Sequence, residues 1–152
     1  MTDITVRVLT ETDRNEYLSM AEEFYSSPAV LHAVPRSHFE RTFDDLMHGD
    51  PYSRALIAET DGKAAGYILL ALTRSQEAGG DVVWIDEVYV RPSARGLGLG
   101  TLLISEAVKR FPAARYRLEL EPDNTAARRL YERLGFASLG YAQMYKDTIG
   151  EK

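Results

Sequence analysis

Residues Val82 to Ile104 read VVWIDEVYVRPSARGLGLGTLLI, and this stretch decides the fold of the chain. It begins as an apolar strand that contains two acids and then passes through a short basic turn. Glycines follow at alternate positions, Gly96, Gly98 and Gly100, where a helix opens. A glycine-rich turn at a helix N-terminus presents backbone N–H groups without acceptors, and the helix dipole favours anions there. The stretch therefore predicts a phosphate-binding turn beside two carboxylates.

The composition of the chain narrows the function classes. Its 152 residues are 45% hydrophobic and 27% charged, which is typical of one globular domain. The formal net charge of −5 disfavours nucleic acid as a partner. The absence of cysteine excludes disulfides and a thiol nucleophile, and three histidines without metal-ligand spacing predict no metal site. No leader peptide opens the chain and no apolar run approaches the ~20 residues that span a bilayer, so we expect a cytoplasmic protein without a membrane partner.

Hydrophobic periodicity predicts the element order β-α-α-β-β-β-α-β-α-β. Strands are expected at Ile4–Leu9, Arg54–Glu59, Ala65–Thr73, Val82–Val90, Tyr116–Glu121 and, as one strand or a pair, Ala137–Asp147. The Asp61-Gly62 pair predicts a hairpin turn, Ser37 to Glu40 matches a capping box that would start the second helix, and Asp123 or Asn124 would cap the fourth. The order predicts an α/β (mixed α+β) fold with about four helices on a mostly antiparallel twisted sheet of about six to seven strands. The two strands that flank the glycine-turn helix should run parallel through a right-handed crossover.

Three kinds of glycine-rich phosphate loop were compared with the turn. A nucleotide-hydrolysing loop of the form G-x-x-x-x-G-K-[ST] requires a lysine, and none lies in this turn. A dinucleotide fingerprint G-x-G-x-x-G requires a third glycine where the chain has Thr101 or Leu103. The third pattern, Arg95-x-x-Gly98-x-Gly100, resembles the coenzyme A pyrophosphate loop of the GNAT superfamily of acyl-CoA-dependent N-acetyltransferases.

Two further blocks carry the same resemblance. The strand before the turn continues as Glu87-Val88-Tyr89-Val90-Arg91-Pro92, and Glu121-Pro122-Asp123-Asn124 precedes Ala127, Leu130-Tyr131 and Leu134-Gly135-Phe136. Together they span roughly residues 82 to 137. The alternative interpretation is a plain glycine turn with an incidental asparagine and tyrosine. The resemblance implies that residues 1–152 form a single acetyltransferase domain, with residues 148–152 as a frayed tail.

The resemblance also implies how acetyl-CoA, the acyl donor, is bound. The expected contacts are Val88, Tyr89, Val90, Arg95, Gly96, Leu97, Gly98, Leu99, Gly100, Thr101, Asn124 and Tyr131. In the family, the glycine turn wraps the pyrophosphate, and the strand carrying Val88 pairs with the pantetheine arm and offers the Val88 N–H to the thioester carbonyl. A bulge in that strand splays it from its parallel neighbour so that the thioester lies between them.

Acetylation of an amine needs an acceptor without its extra proton, so a base should assist. Asp86 and Glu87 are adjacent on a strand and should point to opposite faces unless a bulge re-aims them. Either acid, directly or through water, is a candidate base; we favour Glu87 slightly, and the alternative for each is a solvated or strand-pairing acid. The resemblance assigns Tyr131 as the general acid that protonates the leaving thiolate, against the alternative that it is only a core residue.

The acceptor pocket has no motif of its own. Phe24, Tyr25 and Tyr141 are candidate substrate-binding residues, whereas Trp84, His32 and His38 are expected to be structural or on the surface. The predicted function is transfer of an acetyl group from acetyl-CoA to a primary amine of a small molecule or peptide by direct attack in a ternary complex. The alternative is a non-catalytic acyl-CoA-binding sensor of the same fold, and a homodimer is a further expectation from the resemblance.

Overall fold

A computed structural model describes residues 1–149 of the chain. The five strands are β1 (Ile4–Val8), β2 (Ser53–Thr60), β3 (Lys63–Ser75), β4 (Gly80–Val90) and β5 (Arg115–Leu118). The four helices are α1 (Arg14–Tyr25), α2 (Arg36–Met47), α3 (Leu99–Arg110) and α4 (Thr125–Arg133). Short 3-10 turns at Glu11–Asp13 and Pro92–Ala94 precede α1 and the glycine turn. None of the helices among these residues is long and apolar enough to cross a membrane.

The strands form one sheet in the order β1-β2-β3-β4-β5. The first four are antiparallel neighbours, and β5 pairs with β4 in parallel, as the crossover through α3 predicts. Asp61 and Gly62 both have positive φ and close the hairpin between β2 and β3, which confirms the turn predicted from that dipeptide. The mixed α/β architecture with four helices is therefore confirmed.

Each face of the sheet carries its own apolar core. On one face, α1 and α2 bury Tyr17, Met20 and Phe43 against β2, β3 and β4. On the other face, α3 buries Leu103 and Ala107 against the same strands, and side chains of α4 pack at the margin of this core. The central strands are covered on both sides, so a polar group that points inwards from β4 is removed from water.

Two sequence-based predictions were wrong. Within residues 1–149 the sheet has five strands rather than six or seven, because Ala137–Asp147 forms no strand. Its side chains are exposed, and a strand requires a hydrogen-bonded neighbour in addition to an alternating pattern. The capping box at Ser37 is also wrong, because α2 begins at Arg36, two residues earlier than that box predicts, with extended Pro35 as its N-cap. The expected fray over residues 148–152 falls mostly on residues 150–152, which lie outside the described residues.

Candidate functional site

A β-bulge at Asp86 determines the direction of the two acids on β4. Leu69 of β3 pairs with Glu87 while the next residue, Leu70, pairs with Ile85, so Asp86 is the extra residue. Ile85 points into the core under α3, and strict alternation would send Glu87 to the same face. The bulge instead turns Glu87 to the opposite face, under α1. The bulge expected from the resemblance is therefore present, and it re-aims the second acid.

Glu87 is a buried carboxylate held by two tyrosines. Only 8% of its surface is exposed. The Tyr67 hydroxyl on β3 donates to Oε1 at 2.6 Å, and the Tyr25 hydroxyl at the end of α1 donates to Oε2. Burial raises the pKa of Glu87 above its usual range, with a smaller contribution from the charge of Asp86, although both tyrosine hydrogen bonds act in the opposite direction. A carboxylate with a raised pKa can accept a proton near neutral pH.

Asp86 lies at the point where β4 separates from its parallel neighbour β5. Pairing between β4 and β5 ends at Ile85 opposite Leu118, although β4 continues to Val90. Beyond Ile85, β4 therefore has a strand neighbour on the β3 side only, and the main chain of Val88 to Val90 faces the gap on the other side. The Asp86 side chain is exposed, yet the surrounding protein desolvates it and, with the negative charge of Glu119, raises its pKa. Asp86 and Glu87 thus border the gap in different ways, one exposed and one buried.

The glycine turn precedes α3 at the far end of β4. Gly96 and Gly98 have φ values of +85° and +76°, a conformation that side chains disfavour, and Gly98 is the N-cap of α3. Within residues 1–149, the N–H groups of residues 96–101 donate to no backbone acceptor. The exposed Arg95 adds a cation whose Nε donates to the Val90 carbonyl at 3.1 Å. Main-chain donors beside one arginine are the groups that bind a pyrophosphate.

Tyr131 lies on α4, and Asn124 is the N-cap of that helix, in the segment that follows β5. The Asn124 side chain accepts a hydrogen bond from the Ala127 N–H at 3.2 Å, which confirms its predicted role as a helix cap. Tyr131 is half-buried beside Phe136, and desolvation raises the pKa of its phenol, which keeps it protonated. It borders a cavity of about 640 Å³ between β5, α4 and the segment that follows α4. Tyr141 lines the same cavity.

The three candidate acceptor residues separate into two places. Phe24 and Tyr25, at the end of α1, contact one another with ring centroids 5.1 Å apart, and Tyr25 also stacks on Phe39 of α2. Tyr141 donates instead to Glu77, in the turn before β4. Glu87 lies ten residues beyond Glu77, and the eight residues from Gly80 to Glu87 within β4 span roughly 20 Å at the usual strand rise. The structure therefore brings Tyr25 to Glu87, with Phe24 beside Tyr25, and it leaves Tyr141 with Tyr131 at the other cavity.

Tyr67 was not identified from the sequence. It lies in the apolar run AGYILLALT, where alternation predicts a core position, and the residue is fully buried. A buried phenol usually has a hydrogen-bond partner, and this was the one available signal. Among the residues expected to be structural, Trp84 carries the guanidinium of Arg117 over its ring at 4.3 Å, and His32 and His38 are exposed. No group of three potential metal ligands is assembled among residues 1–149.

Comparison with known proteins places these features in a family. The family model described as the acetyltransferase (GNAT) family matches residues 15–136, which includes β4, the glycine turn and α4. A Bacillus subtilis protein, named as a candidate ribosomal protein bS18-alanine N-acetyltransferase, is 31% identical over 141 residues. That alignment covers 91% of this chain and 88% of the relative. The similarity therefore extends over nearly the whole of both chains.

Two further comparisons differ in what they cover. The mycothiol acetyltransferase of Nocardia farcinica is 35% identical over 136 residues, which is 89% of this chain but 42% of that protein. The solved structure of the aminoglycoside N-acetyltransferase AAC(6')-Iy in complex with CoA superimposes with a TM-score of 0.80. It covers 98% of this chain and 97% of its own length, at 19% identity. This last likeness is one of fold.

Proposed function

The chain belongs to the GNAT family of acetyltransferases, and from that premise we propose that it transfers an acetyl group from acetyl-CoA to a primary amine by direct attack in a ternary complex. The observation that carries the proposal is the divergence of β4 from β5 beyond Ile85. The gap lies between a buried carboxylate with a raised pKa and a turn of free N–H groups. A thioester in such a gap would have a base on one side and main-chain donors along its length. Residues 1–152 are accordingly proposed to act as one acetyltransferase domain.

The donor side of the site consists of the glycine turn and the exposed part of β4. The N–H groups of residues 96–101 and the Arg95 guanidinium would hold the pyrophosphate, and residues 88–90 would pair with the pantetheine arm. The Val88 N–H is proposed to polarise the thioester carbonyl, which is where negative charge develops during attack. Asn124 would contact the pantetheine region while it caps α4. No cysteine is present to accept the acetyl group, so the transfer is direct.

The acceptor side supplies the proton transfers. Glu87 is proposed as the base that leaves the amine uncharged before attack, with Asp86 as the alternative base. Tyr131 is proposed as the acid that protonates the departing thiolate, a role for which its phenol must be neutral. The acceptor is a small-molecule amine or a peptide amine. Because the Bacillus subtilis relative aligns along nearly all of both chains and is named for the alanine of a ribosomal protein, a peptide with an N-terminal alanine is the first acceptor to test.

Thiol release from acetyl-CoA tests this proposal. The panel would contain an N-terminal alanine peptide, free amino acids, polyamines and aminoglycosides. We expect amine-dependent thiol release with at least one of them. Tyr131→Phe should then lower turnover about 10²-fold or more, with acetyl-CoA affinity retained. Binding of acetyl-CoA without thiol release across the panel would instead support the non-catalytic acyl-CoA sensor.

A second variant tests the glycine turn by itself. Gly98→Val forces a branched side chain into a backbone conformation with φ of +76° at the N-cap of α3. We expect acetyl-CoA binding to be lost in calorimetry, and Gly49→Val is the matched control because Gly49 has a similar φ of +79° in the turn after α2. Equal acetyl-CoA affinity in the wild type and in Gly98→Val would rule out the turn as the pyrophosphate site.

A further inference from the structure

The two tyrosines that hold Glu87 differ in their distance from solvent. Tyr67 has no exposed surface, and Glu87 is 8% exposed. Tyr25 is only half-buried at the end of α1, where it stacks on Phe39. Of the two residues hydrogen-bonded to the carboxylate, Tyr25 therefore has the more exposed surface. An acceptor amine that approaches from the α1 side meets Tyr25 before it meets Glu87.

The surroundings of Glu87 contain phenols and acids. Tyr17 and Tyr25 face it from α1, Tyr67 and Tyr89 from β3 and β4, and Asp86 is adjacent on β4. On α2 the neighbour is the Phe39 ring, which carries no charge. Among residues 1–149, Glu87 forms no ion pair: the nearby Arg91 pairs with Glu16 and Glu23 of α1. The protein groups that donate hydrogen bonds to the carboxylate are therefore the hydroxyls of Tyr25 and Tyr67.

We propose that Tyr25 relays the proton of the acceptor ammonium to Glu87, while Tyr67 holds the carboxylate in place. The relay rests on the proposed acetyl transfer and adds a catalytic residue to it. The ammonium N–H gives its proton to the Tyr25 hydroxyl oxygen as the Tyr25 O–H proton passes to Glu87 Oε2. The products are an uncharged amine, an uncharged tyrosine and an uncharged glutamic acid. One positive and one negative charge disappear together, so no new charge is created in the buried site.

The phenol remains uncharged throughout this exchange. Burial and the nearby charge of Glu87 raise the pKa of Tyr25 above its usual range, so a free tyrosinate is disfavoured. The two proton transfers must therefore be coupled, with one O–H bond forming as the other breaks. Tyr67 has the same kind of hydrogen bond to the other carboxylate oxygen, but it is sealed in the core and has no route to an acceptor. Tyr67 is thus a positioning residue.

The pair Tyr25→Phe and Tyr67→Phe tests the relay, because each variant removes one O–H donor from the same carboxylate. With an alkylamine acceptor, Tyr25→Phe should lower kcat about 10²-fold while the KM for acetyl-CoA stays within about twofold. Tyr67→Phe should lower kcat by about threefold or less. It should also move the acid limb of the kcat/KM profile to higher pH, since it removes a hydrogen bond that favours the charged carboxylate. Equal losses of kcat in the two variants would overturn the relay.

A second acceptor distinguishes proton transfer from a general disturbance of the pocket. An alkoxyamine is uncharged at neutral pH and needs no base before it attacks. The Tyr25→Phe defect should therefore shrink to about threefold or less with that acceptor. An undiminished defect with the alkoxyamine would assign Tyr25 to packing and overturn the relay. Wild-type thiol release is measured first with both acceptors, so failure of the proposed acetyl transfer is seen independently of any variant.

A measurement on the wild type covers the case in which Tyr25→Phe does not fold. The kcat/KM for the alkylamine is followed across mixtures of H₂O and D₂O. Two coupled protons give a curved dependence on the deuterium fraction, and the relay is expected to show this curve. A linear dependence, or the absence of an isotope effect with the alkylamine, would overturn the relay.

Discussion

Among residues 1–149, Asp13 and Glu87 are the two carboxylates most shielded from solvent, and they have different partners. Asp13 is 7% exposed and Glu87 is 8% exposed. Asp13 receives two hydrogen bonds from the guanidinium of Arg7, at 2.8 and 2.9 Å, and one from the Thr10 N–H at 2.7 Å. Glu87 receives hydrogen bonds from two uncharged phenols. The two acids are equally shielded from solvent, but Glu87 lies deeper among protein atoms, so depth and partners together decide what each acid can do.

The pKa values of the two acids are shifted in opposite directions. The hydrogen bond from Arg7 lowers the pKa of Asp13 below its usual range, and this outweighs the cost of burial. For Glu87 burial is the larger effect, and the two phenols only reduce the rise in its pKa. Asp13 therefore stays charged at neutral pH and ties the start of α1 to β1. Glu87 is poised to change its protonation state, as a base requires.

The largest expected effect separates the two acids by activity. Glu87→Gln keeps the size of the side chain but removes the base, so kcat should fall by about 10²- to 10⁴-fold, or ~3–5 kcal/mol in the activation barrier. Asp13→Asn should leave kcat within about twofold at a temperature where it is folded. Thiol release at saturating acetyl-CoA measures both. If Asp86→Asn loses more activity than Glu87→Gln, the base is Asp86, which is the exposed acid and not the buried one.

The next largest effect is on stability. Here Asp13→Asn should have the larger effect and Glu87→Gln the smaller one, the reverse of their order for kcat. Asp13→Asn removes the charged partner of a half-exposed arginine that is also bound to Glu59 at 3.0 Å, so the loss should be about 2 kcal/mol in the free energy of unfolding. Glu87→Gln replaces a carboxylate that burial disfavours with an uncharged isostere. We expect its effect to lie between neutral and about 1 kcal/mol of stabilisation at pH 8. Urea unfolding measures the free energy of unfolding of both variants. If Glu87→Gln lowers it as much as Asp13→Asn does, the charged form of Glu87 stabilises the fold as much as that of Asp13.

Much of this arrangement was predictable because its signals are local. The Asp61-Gly62 dipeptide predicts a turn that needs two positive φ angles, and the glycines around Gly98 predict the turn into α3. Short apolar runs bounded by turn residues predict β2, β3 and β4 from their own sequences. The parallel pairing of β4 with β5 follows from the handedness of a strand-helix-strand crossover. Each of these features depends on residues that are neighbours in the chain.

The features that the residues alone did not determine depend on partners elsewhere in the chain. The register shift at Asp86 is a relation between β3 and β4, so the sequence of β4 alone does not reveal which acid turns inwards. Tyr67 reads as an apolar strand residue, and its hydroxyl finds its partner twenty residues later. Ala137–Asp147 has the alternation of a strand but no neighbour to pair with. Ser37 to Glu40 fits a capping pattern, but α2 has already begun at Arg36, after the N-cap Pro35.

The smallest expected effect is the pH dependence of stability, in which the two acids should have opposite signs. The folded-state pKa of Asp13 lies below its unfolded value, so its stabilisation is present above the unfolded pKa and is lost as pH falls through the folded pKa. The folded-state pKa of Glu87 lies above its unfolded value of about 4.3. Between the two values the folded protein binds more protons than the unfolded chain, so the free energy of unfolding falls as pH rises.

Difference curves isolate these two contributions. The free energy of unfolding is measured by urea titration from acidic to mildly alkaline pH for the wild type, Asp13→Asn and Glu87→Gln. The wild-type value minus that of Asp13→Asn should rise with pH in the acidic range, because the unfolded chain is the state that binds the extra proton. The wild-type value minus that of Glu87→Gln should fall with pH above the unfolded pKa of a glutamate. Two curves of the same sign would mean that an unrecognised cation offsets the burial of Glu87, and that the phenols alone do not set its protonation.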